Sequence, residues 1–360
     1  MPSPKDGARP TLATVAASAG VSVATVSKVL NGRTDVSPTT RALVEDVLKR
    51  QAYVGRRSDP ARRPPARTTI ELAFPVKLNA YSTELIEGVL DAATDADVAV
   101  VLSRCTQDPN RATDQQISPW VRTVVAAARQ AVIAVTSDLT ITDVAALERA
   151  RLPLVVVDPL HLPHTRVTSI GSTNFAGGLA ATQHLLSLGH RRIAYVGGWP
   201  TAACNLARLH GYRAAMEAAD APVPEDYVCG GEFHYEDGTV GGAALLALPE
   251  PPTAVFAGCD EAAAGVIEAA RSRGLRVPED LSIVGFDDTQ VAQYSSPPLT
   301  TVRQPLREMG GVALRTAMRM ASGEKLDSHH VELATELVVR RSTAPPPAPA
   351  AAPRRNRRPA

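Results

Sequence analysis

The sequence predicts an all-α helix-turn-helix headpiece followed by an α/β core of two doubly wound parallel-sheet lobes. Three observations lead to this fold class. Residues 11–53 contain three short helical patterns separated by capping and glycine signals. From residue 69 onward, apolar β-type runs alternate with helical segments, and the runs form two successive series. The chain of 360 residues is too long for the headpiece alone.

The headpiece pattern begins at Thr11, which can cap a first helix that Gly20 ends. Ser22 follows almost at once and can cap a second helix, so the two helices must cross steeply. Ser37, followed by proline, begins a third helix. We expect the helical spacing of the apolar residues to form one core from Leu12, Val15, Ala16, Ala19, Val23, Val26, Val29, Leu30, Leu43, Val47 and Leu48.

The outer face of the second helix predicts DNA binding. It carries small, hydroxyl, amide and cationic side chains: Val23, Ala24, Thr25, Ser27, Lys28 and Asn31. A recognition helix places such groups against base edges and phosphates. Residues 1–68 hold 12 Lys and Arg against 5 Asp and Glu, a net charge of +7. This charge favours DNA over the alternative, a helical protein-binding module with a solvated outer face.

Charge and cysteine content describe the rest of the chain. The whole chain carries +1, residues 1–68 carry +7 and the tail from residue 342 carries +4, so the middle must carry about −10 and is a poor DNA binder. The four cysteines lie far apart without a C-x-x-C pair, which indicates neither a zinc site nor a disulfide framework. No apolar run reaches membrane-spanning length, and the N-terminus lacks a secretory signal pattern. We therefore expect a cytoplasmic protein without membrane association, metal or cofactor.

The two series of apolar runs predict the strands of the two lobes. They fall at 70–74, 98–102, 132–135 and 154–157, and then at 193–196, 254–257 and 282–286. Ligands of such folds bind at the carboxyl ends of strands, which between two lobes means an interlobe cleft. Asp158 and Asp287 each come directly after a strand and should present carboxylates to this cleft. Either aspartate could instead be a helix cap or turn residue.

Several segments resemble the lactose/galactose repressor (LacI/GalR) family of bacterial transcription regulators. They are AGVSVATVSKVLNG, VSPTTR and Tyr53 in the headpiece, and GSTNFAGGLAATQHLLSLGHRRIAYVGG and GLRVPEDLSIVGFDD in a core similar to periplasmic binding proteins. The resemblance covers residues 11–340. It implies that Val23, Ala24 and Lys28 set operator sequence. It implies phosphate contacts for Thr11, Ser22, Thr25, Ser27, Asn31, Ser37, Thr40 and Tyr53.

Two departures from the family concern DNA. Lys28 stands where the family often has arginine, which predicts a point-like donor to guanine and more tolerance at that base. The family usually has a hinge helix after the headpiece, with a leucine that enters the minor groove. Here three prolines oppose a helix and Arg62 stands about where the leucine would be. Arg56, Arg57 and Arg62 either follow phosphates or a narrow A·T groove, or only raise general affinity.

The resemblance also implies three chain crossings between the lobes, near Ile170, Arg303 and Val331. The predicted segments are therefore a disordered N-terminus at 1–10, the helix-turn-helix domain at 11–56, a basic proline-rich linker at 57–68, the core at 69–342 and a disordered basic tail at 343–360. Lobe 1 takes residues 69–170 and 304–331, and lobe 2 takes 171–303 and 332–342.

For the effector cleft, the resemblance assigns Arg208 to a clamp on ligand hydroxyls or a carboxylate and Phe233 to ring stacking. Tyr81 lines the opposite lobe, and Gln304 senses closure. Cys259 replaces the family's asparagine or serine, so one ligand hydrogen bond is either missing or supplied by Glu261. The alternatives are an intramolecular ion pair for Arg208 and a core position for Phe233.

Together these patterns predict a homodimeric repressor that binds a pseudo-palindromic operator and is released by a sugar-like effector. One alternative is a corepressor-dependent regulator, in which the ligand tightens DNA binding. A second is a solute-binding protein, which the headpiece disfavours. A third is an enzyme using the cleft carboxylates, but no nucleophile, metal triad or phosphate-binding glycine loop accompanies them. The sequence predicts neither the identity of the sugar nor the operator sequence.

Overall fold

The structure is a computed structural model that describes residues 11–30, 33, 35–51, 53, 68–75, 77–105, 116–160 and 167–347. The chain divides into two compact units, Met1–Arg67 and Thr68–Ala360. Most of the predicted linker, the N-terminal ten residues and the tail from residue 348 lie outside the described residues.

Three helices form the first unit: α1 (Leu12–Ala19), α2 (Val23–Leu30) and α3 (Pro38–Arg50). Gly20 ends α1 in the left-handed region, at φ 65°. The Ser22 hydroxyl then accepts a hydrogen bond from the Thr25 amide at the start of α2. The resulting bend between α1 and α2 is 105°. No single helix in the described part of the chain is long and apolar enough to span a bilayer, and the α1–α2 pair passes that test only as a bent pair.

The headpiece core consists of Val15, Ala16, Ala19, Val26, Val29, Val44 and Val47. The prediction that Leu43 lies on the core face of α3 is wrong. Its side chain is 47% exposed, whereas Val44 is fully buried. Val44 and Val47 are three residues apart and share one face of α3, and Leu43 lies about 100° around the helix from Val44. Val23 is also exposed, at 45%.

Lobe 1 is built on a six-stranded parallel sheet with the order β11-β5-β4-β3-β1-β2. Its strands are β1 (Thr69–Phe74), β2 (Ala99–Arg104), β3 (Ala131–Val135), β4 (Leu154–Val157), β5 (Thr168–Ser172) and β11 (His330–Leu333). Its helices are α4 (Ala80–Asp95), α5 (Pro119–Ala126), α6 (Ile141–Arg149) and α12 (Leu306–Ala321). Alternate strand residues pack against α4 and α12 on one face and against α5 and α6 on the other.

Lobe 2 has a second six-stranded sheet, with the order β12-β10-β9-β8-β6-β7. Its strands are β6 (Ile193–Val196), β7 (Val228–Cys229), β8 (Ala254–Ala257), β9 (Ser282–Asp287), β10 (Thr300–Arg303) and β12 (Glu336–Val338). Its helices are α7 (Asn174–Ser187), α8 (Ala203–Ala218), α9 (Tyr235–Leu245), α10 (Asp260–Ser272) and α11 (Gln290–Tyr294). The edge strand β12 is antiparallel to β10 because it follows β11 directly, without a helix to reverse the chain.

The chain passes between the lobes three times. It leaves lobe 1 after Ser172, returns after Arg303 and leaves again after Leu333. The first and third crossings therefore come two residues later than the expected positions, Ile170 and Val331, because β5 and β11 pair through Ser172 and Leu333.

Lobe 2 also extends beyond its predicted end at residue 342. The Ala344 amide donates to the Ser282 hydroxyl, at 3.0 Å, and the Thr343 hydroxyl lies 3.0 Å from His184 Nε2. These contacts hold the two residues against the lobe, although the sequence assigned them to the tail.

Helix α12 packs so closely on α4 that a methyl group at Gly310 would lie 2.4 Å from the Leu85 carbonyl oxygen. At adjacent Gly311 the nearest atom would be the end of the flexible Arg315 side chain, at 3.0 Å. We expect Gly310→Ala to lower the free energy of unfolding by about 1–3 kcal/mol through overpacking. Gly311→Ala should leave it unchanged or raise it by up to about 1 kcal/mol through helix propensity. Urea unfolding followed by circular dichroism measures both, and equal effects would contradict this packing.

Candidate functional site

A cavity lies between the two lobes, at the carboxyl ends of strands from both sheets. The enclosed volume of this cavity is about 80 Å³, and the space among its lining residues that includes open solvent is about 710 Å³. Its walls combine aromatic rings with carboxyl, hydroxyl and amide groups. The lining residues are Phe74, Asn79, Ala80, Tyr81, Ser82, Thr136, Asp158, Trp199, Cys204, Arg208, Glu232, Phe233, His234, Cys259, Asp260, Glu261, Asp287 and Thr289.

Six of the seven residues expected to contact an effector line this cavity: Tyr81, Asp158, Arg208, Phe233, Cys259 and Asp287. The seventh, Gln304, is buried behind the wall. Its Nε2 donates to Asp287 Oδ1, at 2.6 Å, and the Ser172 hydroxyl donates to its Oε1, at 2.5 Å. Gln304 therefore joins the cavity wall to the first two chain crossings.

Asp158 and Tyr81 form the lobe 1 side of the polar wall. The Tyr81 hydroxyl donates to Asp158 Oδ2, at 2.6 Å. Burial raises the pKa of Asp158, although the Tyr81 hydrogen bond opposes this shift. The carboxyl group is thus held in place by one donor at the edge of the cavity.

Asp287 is the corresponding carboxyl of lobe 2, at the end of β9. Burial is the main cause that raises its pKa well above the usual value, and nearby Arg208 opposes the shift. The backbone at Asp287 is strained, with φ 113°. Three other cavity residues that are not glycine, Thr136, Asp158 and Phe233, also have positive φ. Four positions of backbone strain therefore border the cavity.

Arg208 reaches the cavity from α8 but is anchored inside the protein. Its Nε donates to Asn174 Oδ1, at 2.7 Å, and its Nη1 donates to the Gly258 carbonyl oxygen, at 2.6 Å. Its guanidinium carbon lies 3.8 Å from the centroid of the Phe286 ring. Arg208 therefore has a structural role in addition to its place in the cavity wall.

Phe233 and Cys259 support each other. The Cys259 thiol donates to the Phe233 carbonyl oxygen, at 3.2 Å, and accepts from the Ala262 amide at the start of α10, at 3.3 Å. Cys259 thus caps a helix and holds the loop that carries Phe233. Glu261, the expected substitute donor or acceptor, accepts from the Ala80 amide of lobe 1, at 3.2 Å.

Two further aspartates near the cavity form hydrogen bonds or ion pairs with other groups of the protein. Asp260 accepts hydrogen bonds from the Thr301 hydroxyl, at 2.6 Å, and from the amide and hydroxyl of Thr289. Burial raises its pKa to about 7. Asp288 pairs with Arg303 and Arg340, at 2.7 and 2.5 Å. These contacts give both carboxyl groups structural partners.

Sequence reasoning missed several cavity residues. They are Phe74, Asn79, Ser82, Thr136, Trp199, Cys204, Glu232 and His234. Thr136 follows β3 directly and Trp199 follows β6 closely. The rule that ligands bind at the carboxyl ends of strands, which predicted Asp158 and Asp287, therefore also indicates these two residues. No such signal marks Cys204, which the fold brings in from the first turn of α8.

The headpiece presents a candidate DNA-binding surface on α2. Val23, Ala24 and Lys28 are exposed, and Thr25 and Ser27 are half-buried. Thr11, Ser22, Ser37 and Thr40 take part in the hydrogen bonds that begin the helices. Tyr53 packs against the headpiece core. Asn31, Arg56, Arg57 and Arg62 lie outside the described residues.

A helix-turn-helix unit joined to a two-lobed α/β core defines a class, the DNA-binding transcription regulators. The model of the family described as "Bacterial regulatory proteins, lacI family" matches residues 11–55, and that of the "Periplasmic binding protein-like domain" matches residues 182–343. The chain belongs to the LacI family of bacterial regulatory proteins. The predicted family, fold class and regulatory function are confirmed.

Similar proteins match almost the whole chain. The chain is 32% identical to catabolite control protein A of Priestia megaterium over 92% of its length and 99% of that protein. It is 35% identical to the transcriptional regulator CelR of Thermobifida fusca over 93% of its own length and 98% of the length of CelR. A CelR–cellobiose complex matches with a TM-score of 0.69 at 32% identity, over 93% and 100%. A lac repressor dimer bound to operator also matches at 0.69, with 26% identity over 94% and 100%.

The raised pKa of Asp287 predicts a pH dependence of stability. The unfolded chain loses this proton near pH 4, whereas the folded chain keeps it to higher pH. The folded state therefore binds more protons in this interval, and its contribution to the free energy of unfolding falls as the pH rises. Asp287→Asn should gain stability relative to the unsubstituted chain at pH 8 compared with pH 5, as measured by urea unfolding.

Asp280→Asn is the control for this comparison. Asp280 hydrogen-bonds Arg276, which lowers its pKa, so this variant should show no such gain. The absence of a gain in Asp287→Asn would contradict the raised pKa.

Proposed function

We propose that the chain is a cytoplasmic repressor that binds its operator as a homodimer and is released by an uncharged sugar bound between the lobes. The observation that carries the effector proposal is the composition of the cavity wall. Tyr81, Trp199 and Phe233 offer ring faces, and Asp158 and Asp287 offer carboxyl groups at strand ends. Sugars need both, because their rings have apolar faces and their hydroxyls donate and accept.

The hydrogen-bonding groups of the cavity favour an uncharged effector over an anionic one. Its lining contains five acidic residues and one arginine, Arg208. Nε and Nη1 of that arginine already donate to protein groups, which leaves fewer of its N–H donors for a ligand anion. The CelR–cellobiose complex makes cellobiose the first sugar to test.

Gln304 offers a physical route from ligand to operator. A sugar hydroxyl bound to Asp287 acts on the carboxyl group that Gln304 holds, and Gln304 is bonded to the crossing at Ser172. Binding therefore favours one arrangement of the lobes. In a dimer, the arrangement of the lobes sets the spacing of the two headpieces.

The effector proposal is tested by binding. We expect cellobiose or a related uncharged sugar to raise the melting temperature of the full chain and to change the fluorescence of Trp199. With the operator selected from a random duplex pool, the same sugar should weaken DNA binding about 5- to 150-fold in fluorescence anisotropy. Tighter operator binding would mean a corepressor, and sugar binding without any operator would favour a solute-binding protein.

Phe233→Leu tests the stacking position, with Phe175→Leu as its control. Phe175 is an exposed phenylalanine outside the cavity lining. Loss of the Phe233 ring should weaken sugar binding about fivefold, because stacked rings contribute about 1 kcal/mol beyond buried area. Isothermal titration of both variants measures this, and equal affinities would remove Phe233 from the site.

The homodimer proposal rests on exposed apolar side chains at the β2 edge of lobe 1. Leu90 on α4 is 45% exposed and Leu102 on β2 is 48% exposed. We expect Leu90→Arg to shift the chain from dimer to monomer in light scattering at micromolar concentration. Ile141→Arg on α6, at another exposed apolar site, is the matched control. A dimer unaffected by Leu90→Arg would place the interface elsewhere.

A further inference from the structure

Lys28, at the exposed face of α2, is paired with an acidic residue that the sequence analysis did not single out. Lys28 Nζ lies 2.7 Å from Asp35 Oδ2, and the two side chains are 51% and 57% exposed. The Arg33 amide donates to the Lys28 carbonyl oxygen, at 3.0 Å. Asp35 therefore lies beside the exposed face of α2 that carries Lys28.

An acidic side chain is unfavourable on a surface that approaches phosphates, unless it meets a hydrogen-bond donor there. The hydrogen bond from Lys28 lowers the pKa of Asp35, so its carboxylate is charged at neutral pH. The other acidic residues described in the headpiece, Glu45 and Asp46, both lie on α3. Asp35 is therefore placed differently from them, next to the side chain expected to contact bases.

The pair presents a cationic donor beside an anionic acceptor. In the major groove a G·C pair presents the mirror pattern, because guanine offers the N7 and O6 acceptors and cytosine offers its N4 amino group next to them. An A·T pair offers one purine acceptor, and the thymine methyl group lies at the far side. A lysine prefers the two adjacent acceptors of guanine, and an aspartate accepts from cytosine N4.

We propose that Lys28 and Asp35 act as one unit that recognises a single G·C pair in each operator half-site. Lys28 donates to guanine O6 and N7, and Asp35 accepts from the N4 amino group of the paired cytosine. Asp35 is thus a specificity-determining residue of the DNA-binding function. The inference rests on the regulatory function and adds the base pair that this part of the headpiece reads.

This arrangement has a distinctive consequence for Asp35→Ala. The variant loses the cytosine contact and also one negative charge near the DNA. Discrimination at the G·C position should fall about 5- to 100-fold, while affinity for unrelated duplex should rise a few-fold. A loss of negative charge alone would raise the affinity for every duplex and leave the base preference unchanged. A fall in discrimination together with a rise in general affinity therefore indicates that Asp35 contacts a base.

Asp46→Ala is the matched control. Asp46 is 59% exposed and pairs with Arg50 on the outer side of α3, so its removal takes one paired negative charge from the same headpiece. This control should raise affinity for unrelated duplex no more than Asp35→Ala does and leave every base preference unchanged. Circular dichroism of each variant verifies that the helices are intact.

The experiment selects binding sites from a randomised duplex pool with the full chain and with each variant. Fluorescence anisotropy then compares the selected site with duplexes altered at one base pair. We expect the unsubstituted chain and Asp46→Ala to prefer G·C at one position of each half-site, and Asp35→Ala and Lys28→Ala to relax that same position.

Three outcomes would overturn the inference. They are unchanged base preferences in Asp35→Ala, effects of Lys28 and Asp35 at different positions, and an A·T pair at the shared position. Failure of the unsubstituted chain to select any motif would instead contradict sequence-specific DNA binding itself, so the two failures are distinguishable.

Discussion

The hydrogen bonds that tie the chain crossings together are the constraint on which the core depends. Ser172, Gln304 and Asp287 form one buried series from the first crossing to the cavity wall. Thr173 and Thr335 join the first crossing to the third, with their hydroxyl oxygens 3.0 Å apart. Because each crossing is bonded to another, a change at one of them strains the others. A two-lobed fold hinged in this way responds to a ligand as a unit.

The cavity wall next to these crossings contains two carboxyl groups that are buried and have a strained backbone. Asp287 is buried with a raised pKa and a strained backbone, and Asp158 is likewise buried with positive φ. Each is held by a neutral donor, Gln304 or Tyr81, together with the nearby charge of Arg208. A ligand that offers hydroxyl donors can supply hydrogen bonds that these carboxyl groups lack. The cavity is therefore prepared for a partner rich in donors.

The sequence predicted the fold well because its signals are local. Capping residues and the alternation of apolar runs with helices report on their own neighbourhoods, and the strands at 154–157 and 193–196 fall where these signals place them. Leu43 was misplaced because helical spacing alone does not say which of two adjacent apolar residues faces the partner helices. The antiparallel β12 depends on the route of the chain after β11, which composition does not encode.

The cavity was predictable only where a residue follows a strand or matches a family position. Asp158 and Asp287 carry the first signal. Cys204 carries neither. The pairing of Lys28 with Asp35 joins a residue on α2 to one beyond the end of that helix, which helical periodicity does not indicate. Cys259 was expected to weaken a ligand contact because thiols donate poorly. That stays a prediction, and in the structure Cys259 also caps α10 and holds the Phe233 loop, a structural role that neither its residue type nor its position in the sequence indicates.

Arg208 matches an effector-binding position of the family, but its substitution is a poor test of effector binding. Its position made it a leading candidate for an effector clamp, yet the structure gives it Asn174, Gly258 and Phe286 as partners. Truncation would leave a buried carbonyl oxygen and a buried amide oxygen without their charged donor, which costs stability whether or not a ligand binds. Loss of response in such a variant would therefore not distinguish folding from recognition. Phe233 lines the cavity and packs against the lobe 2 core, and its backbone is held by Cys259, so a leucine there keeps an apolar side chain while the loop stays anchored.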